Sequence, residues 1–301
     1  MTGTARPCPL GWRRLLIVLF LLAAPLSALE AEPAVWSLQG GRGEVLLLGS
    51  VHLLRSEDYP LPAVVTRAYQ QADRLVMELD IDDLDPLQSQ MLLMEKGRLP
   101  EGRTLAQAMG TSDYRRARKY AEALGMPLDL LGSLKPWLAA LTIMNLHTMS
   151  LGYSPELGLE QHLASLAVRD GKDIGGLETM RFQLELFDEL PERVQNQLLL
   201  QTLEEASMMD KQLDTLIAAW REGDSAELER ELGRSFKDYP DVFRRLVSDR
   251  NRTWVDHLLR LSGEEGTTLV IVGALHLVGR DSVIDMLKRK GHKVERWDSA
   301  R

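Results

Sequence analysis

The feature that most constrains this chain is a pattern repeated near its two ends. Val45-Leu46-Leu47-Leu48-Gly49-Ser50-Val51-His52-Leu53-Leu54 aligns without gaps on Leu269-Val270-Ile271-Val272-Gly273-Ala274-Leu275-His276-Leu277-Val278. Each copy is a short unbroken apolar run, a glycine, two residues, a histidine and two more apolar residues. A run of that length bounded by glycines suits a strand buried on both faces better than a helix. Two strands of one sheet then present the same G-x-x-H loop, and the ends of strands in open α/β sheets are where ligands bind.

Other segments support the same fold class. Leu75–Leu79, Leu128–Leu131, a weaker Asp173–Leu177 and a more polar His292–Trp297 read as further strands. Helical periodicity fills the intervals, as in Leu61–Ala72 and Tyr114–Leu124, so an α/β protein with a mixed sheet is predicted. From about Phe182 to Leu261, residues 182–262, the pattern becomes long, charged, Leu-rich amphipathic helices, which reads as a helical lobe inserted in the sheet. Breaks within it are predicted at Asp224-Ser225 and Tyr239-Pro240.

Residues 1–31 read as a secretory signal: Arg6, Arg13 and Arg14, then the apolar run Leu15–Ala24, then Pro25, with cleavage near Ala28 or Ala31. The run is too short to cross a ~30 Å hydrocarbon core comfortably. The expected product, residues 32–301, is exported to the periplasm or secreted, with no integral membrane segment after the signal is removed. The full chain carries a formal charge of −8; losing three Arg and one Glu takes it to −10, which argues against nucleic acid as a partner. The sole cysteine, Cys8, lies inside the signal, so site chemistry must rest on His, Asp, Glu, Asn, Arg and hydroxyls.

A lone histidine beside apolar residues is ordinarily structural. Two in the same loop after two similar strands suit metal ligation or acid–base work, and His52 and His276 are expected to lie close together. Glu78 closes its strand and is either a ligand or base, or an edge carboxylate facing water. Glu178, after Gly175-Gly176-Leu177, is the second carboxylate candidate. Asp80, Asp82, Asp83 and Asp85 read as a solvated helix start or loop rather than a calcium site. Glu160 and His162, two apart on a predicted helix, point in different directions and form no ligand pair. Arg250 interrupts the apolar stripe Phe243, Val247, Trp254, Leu258, Leu261; with Asn251 it is either an internal salt bridge or a group that positions substrate. Lys135-Pro136-Trp137 reads as a helix start with Trp137 in the core.

Taken in order, Gly49–His52, Glu78, Lys135-Pro136-Trp137, Gly176-Leu177-Glu178-Thr179, Arg250-Asn251 with Trp254, and Gly273–His276 resemble the TraB/PrgY/GumN family, which includes the TIKI proteases. The resemblance implies a fold shared with the erythromycin esterase and ChaN-like group. It also implies a metal-dependent protease activity needing a divalent ion such as manganese or cobalt. In that correspondence His52 and His276 match the paired histidines, Glu78 and Glu178 the acidic positions, and Arg250 and Asn251 the polar pair. The expected function is therefore a hydrolase of peptide or other amide bonds in the cell envelope. His52, His276 and Glu78 would hold a manganese, cobalt or zinc ion, and Arg250 or Asn251 would steady the oxyanion. No H-E-x-x-H motif is present, and a metal-free variant with a histidine base oriented by a glutamate fits the same residues. The alternative is a protein that captures a peptide or haem-like ligand without turnover. A further reading is an envelope scaffold whose helical lobe docks a partner.

Overall fold

The computed structural model describes residues 32–80 and 85–297, so the predicted signal and Asp82 and Asp83 lie outside the described residues. Six strands form a mixed sheet in the order β4-β3-β5-β2-β1-β6, where β1 is Val35–Gln39, β2 Gly43–Ser50, β3 Arg74–Leu79, β4 Ile174–Glu178, β5 Gly266–Gly273 and β6 Val294–Arg296. The four strands β4, β3, β5 and β2 run parallel, while β1 lies antiparallel between β2 and β6. Among the described residues no helix is long and apolar enough to cross a membrane.

Twelve α-helices are described, in chain order: α1 Ala63–Gln71, α2 Pro86–Gly97, α3 Leu105–Ala123, α4 Pro136–Ser150, α5 Leu159–Asp170, α6 Met180–Asp188, α7 Glu192–Glu205, α8 Met209–Glu222, α9 Ser225–Phe236, α10 Pro240–Phe243, α11 Asp249–Leu261 and α12 Val283–Arg289. The unbroken apolar runs have the expected cause: β2 and β5 are central and buried on both faces. Leu46, Leu48, Leu269 and Ile271 join Ala68 of α1, Leu163 of α5 and Trp220 of α8 in one core. Val45, Leu47, Val270 and Val272 join Trp254 and Leu258 of α11 and Leu287 of α12 in the other. Parallel strands covered on both faces leave no room for polar alternation.

Two expectations need correction. Leu128–Leu131 is a 3-10 turn entered through Pro127, and Leu130 is 80% exposed. Three leucines around Asp129 are too few to hold a strand without a neighbour to pair with. The helical region also extends beyond residues 182–262. A separate core joins Leu105, Ala117, Ala140 and Ile143 of α3 and α4 to Leu199 and Leu203 of α7, so α3 and α4, which lie between β3 and β4, belong to it. The segments after residue 182 serve different layers: α7 packs in this helical core, α8 and α9 cover one sheet face, and α11 covers the other.

Candidate functional site

The carboxyl ends of the four parallel strands put Glu178, Glu78, the Gly273–His276 loop and the Gly49–His52 loop side by side along one edge of the sheet. The two repeats sit on adjacent strands with Ser50 opposite Gly273. Their contact explains Gly49: a Cβ there would stand 2.9 Å from the Ala274 Cα, so the loops meet only because that atom is missing. Gly273 marks the meeting point. A Cβ on it would lie 3.4 Å from Glu78 Oε1 and 3.6 Å from both His52 Nε2 and His276 Cδ2.

Glu78 follows Val76 at the strand period of two, so it faces α11. There Arg250 reaches down from the helix. A five-residue π-helical segment, Arg244–Ser248, runs directly into α11, a departure from α-helix that recurs at functional sites. Arg250 Nη2 donates to Glu78 Oε2 at 2.5 Å and to Glu178 Oε2 at 2.8 Å, and Nε donates to Glu178 Oε1 at 2.9 Å. Nη1 donates to the Leu246 carbonyl at 3.1 Å and to His276 Nε2 at 3.2 Å. A guanidinium has five N–H groups, and these contacts engage all of them within the protein. Trp254 Nε1 donates to Glu178 Oε1 at 2.8 Å, and its ring lies 4.7 Å from the Arg250 Cζ. Gln183 of α6 donates to Glu178 at 3.0 Å and reaches Glu78 at 3.4 Å.

His276 is buried and its tautomer follows from its partners. Asn251, fully buried, donates through Nδ2 to the Asp281 carbonyl at 2.8 Å, which leaves its Oδ1 to accept from His276 Nδ1 at 2.6 Å. The proton is therefore on Nδ1, and the Nε2 lone pair accepts from Arg250. Burial, together with Arg250 and His52, pushes the imidazole down to about 4 despite the nearby Glu78, so it is neutral at pH 7. Burial alone would raise the Glu78 carboxyl. Positive charge on His276, Arg250 and His52, with the Gly273 N–H donated at 2.8 Å, instead holds it at about 2. Because His276 is uncharged at neutral pH, Arg250 and His52 supply that pull there.

His52 stands apart, with 65% of its side chain open to solvent. Its Nδ1 lies 2.5 Å from Glu160 Oε1, and Ser50 Oγ donates to the same oxygen at 2.5 Å. The Glu160 charge, against the opposing effect of burial, raises the imidazole from 6.5 to about 9; water at so exposed a ring screens part of that attraction. Glu160, which the sequence reading names only as forming no ligand pair with His162, is the partner of His52 that it missed. It comes to the site because the start of α5 docks on the first loop: Leu159 N–H donates to the Val51 carbonyl at 3.1 Å, and a Cβ at Gly158 would stand 2.2 Å from the His52 oxygen. Its neighbour His162 instead packs edge-on against Tyr59 at 5.4 Å. Ser50 and Gln183 were also missed, since a serine in a loop and a glutamine in a helix carry no signal by themselves.

This arrangement does not match the expected ion held by His52, His276 and Glu78. Among the described residues no group of three or more His, Cys, Asp or Glu is placed to hold a metal. The physical reason is Arg250: its positive charge is bonded to Glu78 and would repel a metal ion placed beside it, and its N–H covers the His276 lone pair that a metal would need. Nor is Arg250 or Asn251 left with the contacts of an oxyanion donor. Arg250 is engaged in full, and Asn251 is sealed between His276 and Asp281.

The family model for the TraB/PrgY/gumN family matches residues 34–296, a span holding both G-x-x-H loops and every residue of this network. The chain belongs to the TraB/PrgY/gumN family. It is similar to the uncharacterized protein YbaP of Escherichia coli K12, 23% identical over 256 residues, covering 85% of this chain and 92% of that protein. It is similar to the same extent to YbaP of Shigella flexneri. An uncharacterized protein of Treponema pallidum is 22% identical over 285 residues, covering 89% of this chain and 84% of its own length. No solved structure matches the chain.

Proposed function

We propose that the chain hydrolyses a peptide or other amide bond, with His52 as the proton-transfer residue and Glu160 as the group that orients it. The observation that carries this reading is the His52–Glu160 pair: the Nδ1 side is held by a carboxylate at 2.5 Å, while the ring is otherwise open to solvent. Nε2 lies beside Gly273 at the meeting point of the loops. In its neutral form His52 would take a proton from an attacking water through Nε2, and Glu160 would stabilise the imidazolium that results. The same Nε2–H would then go to the departing amine. Glu78, Glu178, Arg250 and His276 form the floor beneath, charged but internally compensated, and set where the substrate can sit. Environments that push two histidines to opposite sides of neutrality are a recurrent signature of acid–base centres.

Export to the periplasm or beyond is supported by the basic and apolar order of residues 6–25. Kinship of fold with the erythromycin esterase and ChaN-like group is supported by the G-x-x-H loops at the ends of adjacent parallel strands.

The test is incubation of purified protein with a defined pool of unstructured peptides, with and without EDTA, and mass spectrometry of the products. New termini should appear with wild type in both conditions and vanish with His52→Ala. Equal cleavage by wild type and His52→Ala refutes the assignment. Peptides retained intact on wild type would favour the alternative, capture without turnover.

A further inference from the structure

Arg250 is a cation enclosed by metal-ligand chemistry. Two carboxylates and an imidazole lone pair converge on one guanidinium: Glu78 Oε2 at 2.5 Å and Glu178 Oε2 at 2.8 Å from Nη2, and His276 Nε2 at 3.2 Å from Nη1. Side-chain exposures of 9% for Arg250, 13% for Glu78 and 4% for Glu178 put this charge cluster out of reach of bulk counter-ions. Two buried carboxylates so close must be neutralised by something. Here a side chain from α11 does it, fixed from above by the Leu246 carbonyl and from the side by the Trp254 ring.

We propose that Arg250 is a built-in cation that takes the place of a metal ion in this centre, and that its removal uncovers a latent divalent site formed by Glu78, Glu178 and His276. Oxygen and imidazole donors of this kind suit first-row transition ions. Around the guanidinium the three groups are not placed to hold a metal, so in its absence the carboxylates and the imidazole must move inward to reach ligand distances of about 2.0–2.2 Å. His276 is already in the right state, because Asn251 holds the proton on Nδ1 and leaves Nε2 as the donor. An orienting partner on the far nitrogen is the usual support of a metal-binding imidazole. The claim concerns cation occupancy and needs no turnover, so it can fail or hold independently of the hydrolase proposal.

The experiment is a titration of full-length protein, free of any histidine tag, with Co2+ alone, read by its visible absorption bands. Wild type should show no saturable band. Arg250→Met, which removes the charge and keeps the bulk, should bind one Co2+ per chain. That band should disappear when His276→Ala is added, and guanidinium ion at non-denaturing concentration should displace the metal. A saturable band in wild type that is lost in Glu78→Gln overturns the proposal, as does a folded Arg250→Met that takes up no Co2+. Should Arg250→Met fail to fold, its refolding yield is measured with Co2+ and with Mg2+. Recovery by Co2+ alone supports the latent site, and no recovery overturns it.

Discussion

Protonating His276 should destabilise the fold, and the size of the effect follows from its surroundings. The ring is buried, its Nε2 accepts from Arg250 at 3.2 Å and its Nδ1 donates to Asn251 at 2.6 Å. A second proton would set N–H against N–H and place a positive charge beside the guanidinium. Burial first, and Arg250 after it, therefore depress the imidazole from 6.5 to about 4. A group whose folded-state pKa is depressed stabilises the protein above its unfolded pKa and loses that contribution as pH falls through the folded value. The window is thus pH 6.5 down to about 4, in which unfolding takes up about one proton at this site. At about 1.4 kcal/mol per pH unit for one proton, the loss across the window is about 3 kcal/mol. Glu78, held at about 2, keeps its full contribution above about pH 4.5 and loses it only below that, so it adds no pH dependence inside the assay range. The assay is urea denaturation followed by tryptophan fluorescence at several pH values between 6.5 and 4.5, for wild type and His276→Gln. Carboxylates and other histidines titrate in both proteins, so the difference between the two slopes isolates His276. Parallel pH dependences would refute the reasoning, because they would mean that position 276 binds protons equally in both states.

Three further outcomes are expected. If turnover is found, its rate should rise with pH as His52 loses its proton, with a midpoint between 6.5 and about 9, and Glu160→Gln should both slow the reaction and move that midpoint toward 6.5 because the raising charge is gone; an unmoved midpoint in the pH–rate profile counts against the pair. Gly273→Ala adds a methyl in ordinary contact with Glu78, His276 and His52, at 3.4–3.6 Å, so the thermal midpoint should hold while peptide cleavage falls at least tenfold, and full activity would mean that this point is not where substrate sits. Trp220→Phe removes the 2.7 Å bond from Nε1 to the buried Gly49 carbonyl, which should cost about 1–3 kcal/mol in urea denaturation.

Much of the fold was legible because burial leaves a mark on sequence. β2 and β5 are covered on both faces, which demands unbroken apolar runs, and both read as strands from Val45–Gly49 and Thr268–Gly273 alone. The stripe from Val247 to Leu261 was visible for the same reason, at the period of a helix packed on a sheet. β1 escaped notice: Val35–Gln39 is short, contains Ser37 and Gln39, and is a strand chiefly because it pairs antiparallel with β2 and β6. Leu128–Leu131 had a strand's composition and found no partner in the sheet.

The site divides in the same way. Its histidines and strand-end glutamates could be picked out because they follow apolar runs, and strand ends of a parallel sheet share one edge by geometry. Arg250 stood out as a charge in an apolar stripe, although which of its readings held was open until the helix was seen against β3 and β4. Glu160 could not be found in advance, since a carboxylate near a helix start is common, and only the docking of α5 on the first loop gives it His52 as a partner. Sequence alone thus determined which chemical groups stand at the sheet edge, because local pattern sets strands and their ends. Tertiary structure alone decided which cation neutralises Glu78 and Glu178 and which histidine meets solvent, because those depend on distances of a few ångströms between segments far apart in the chain.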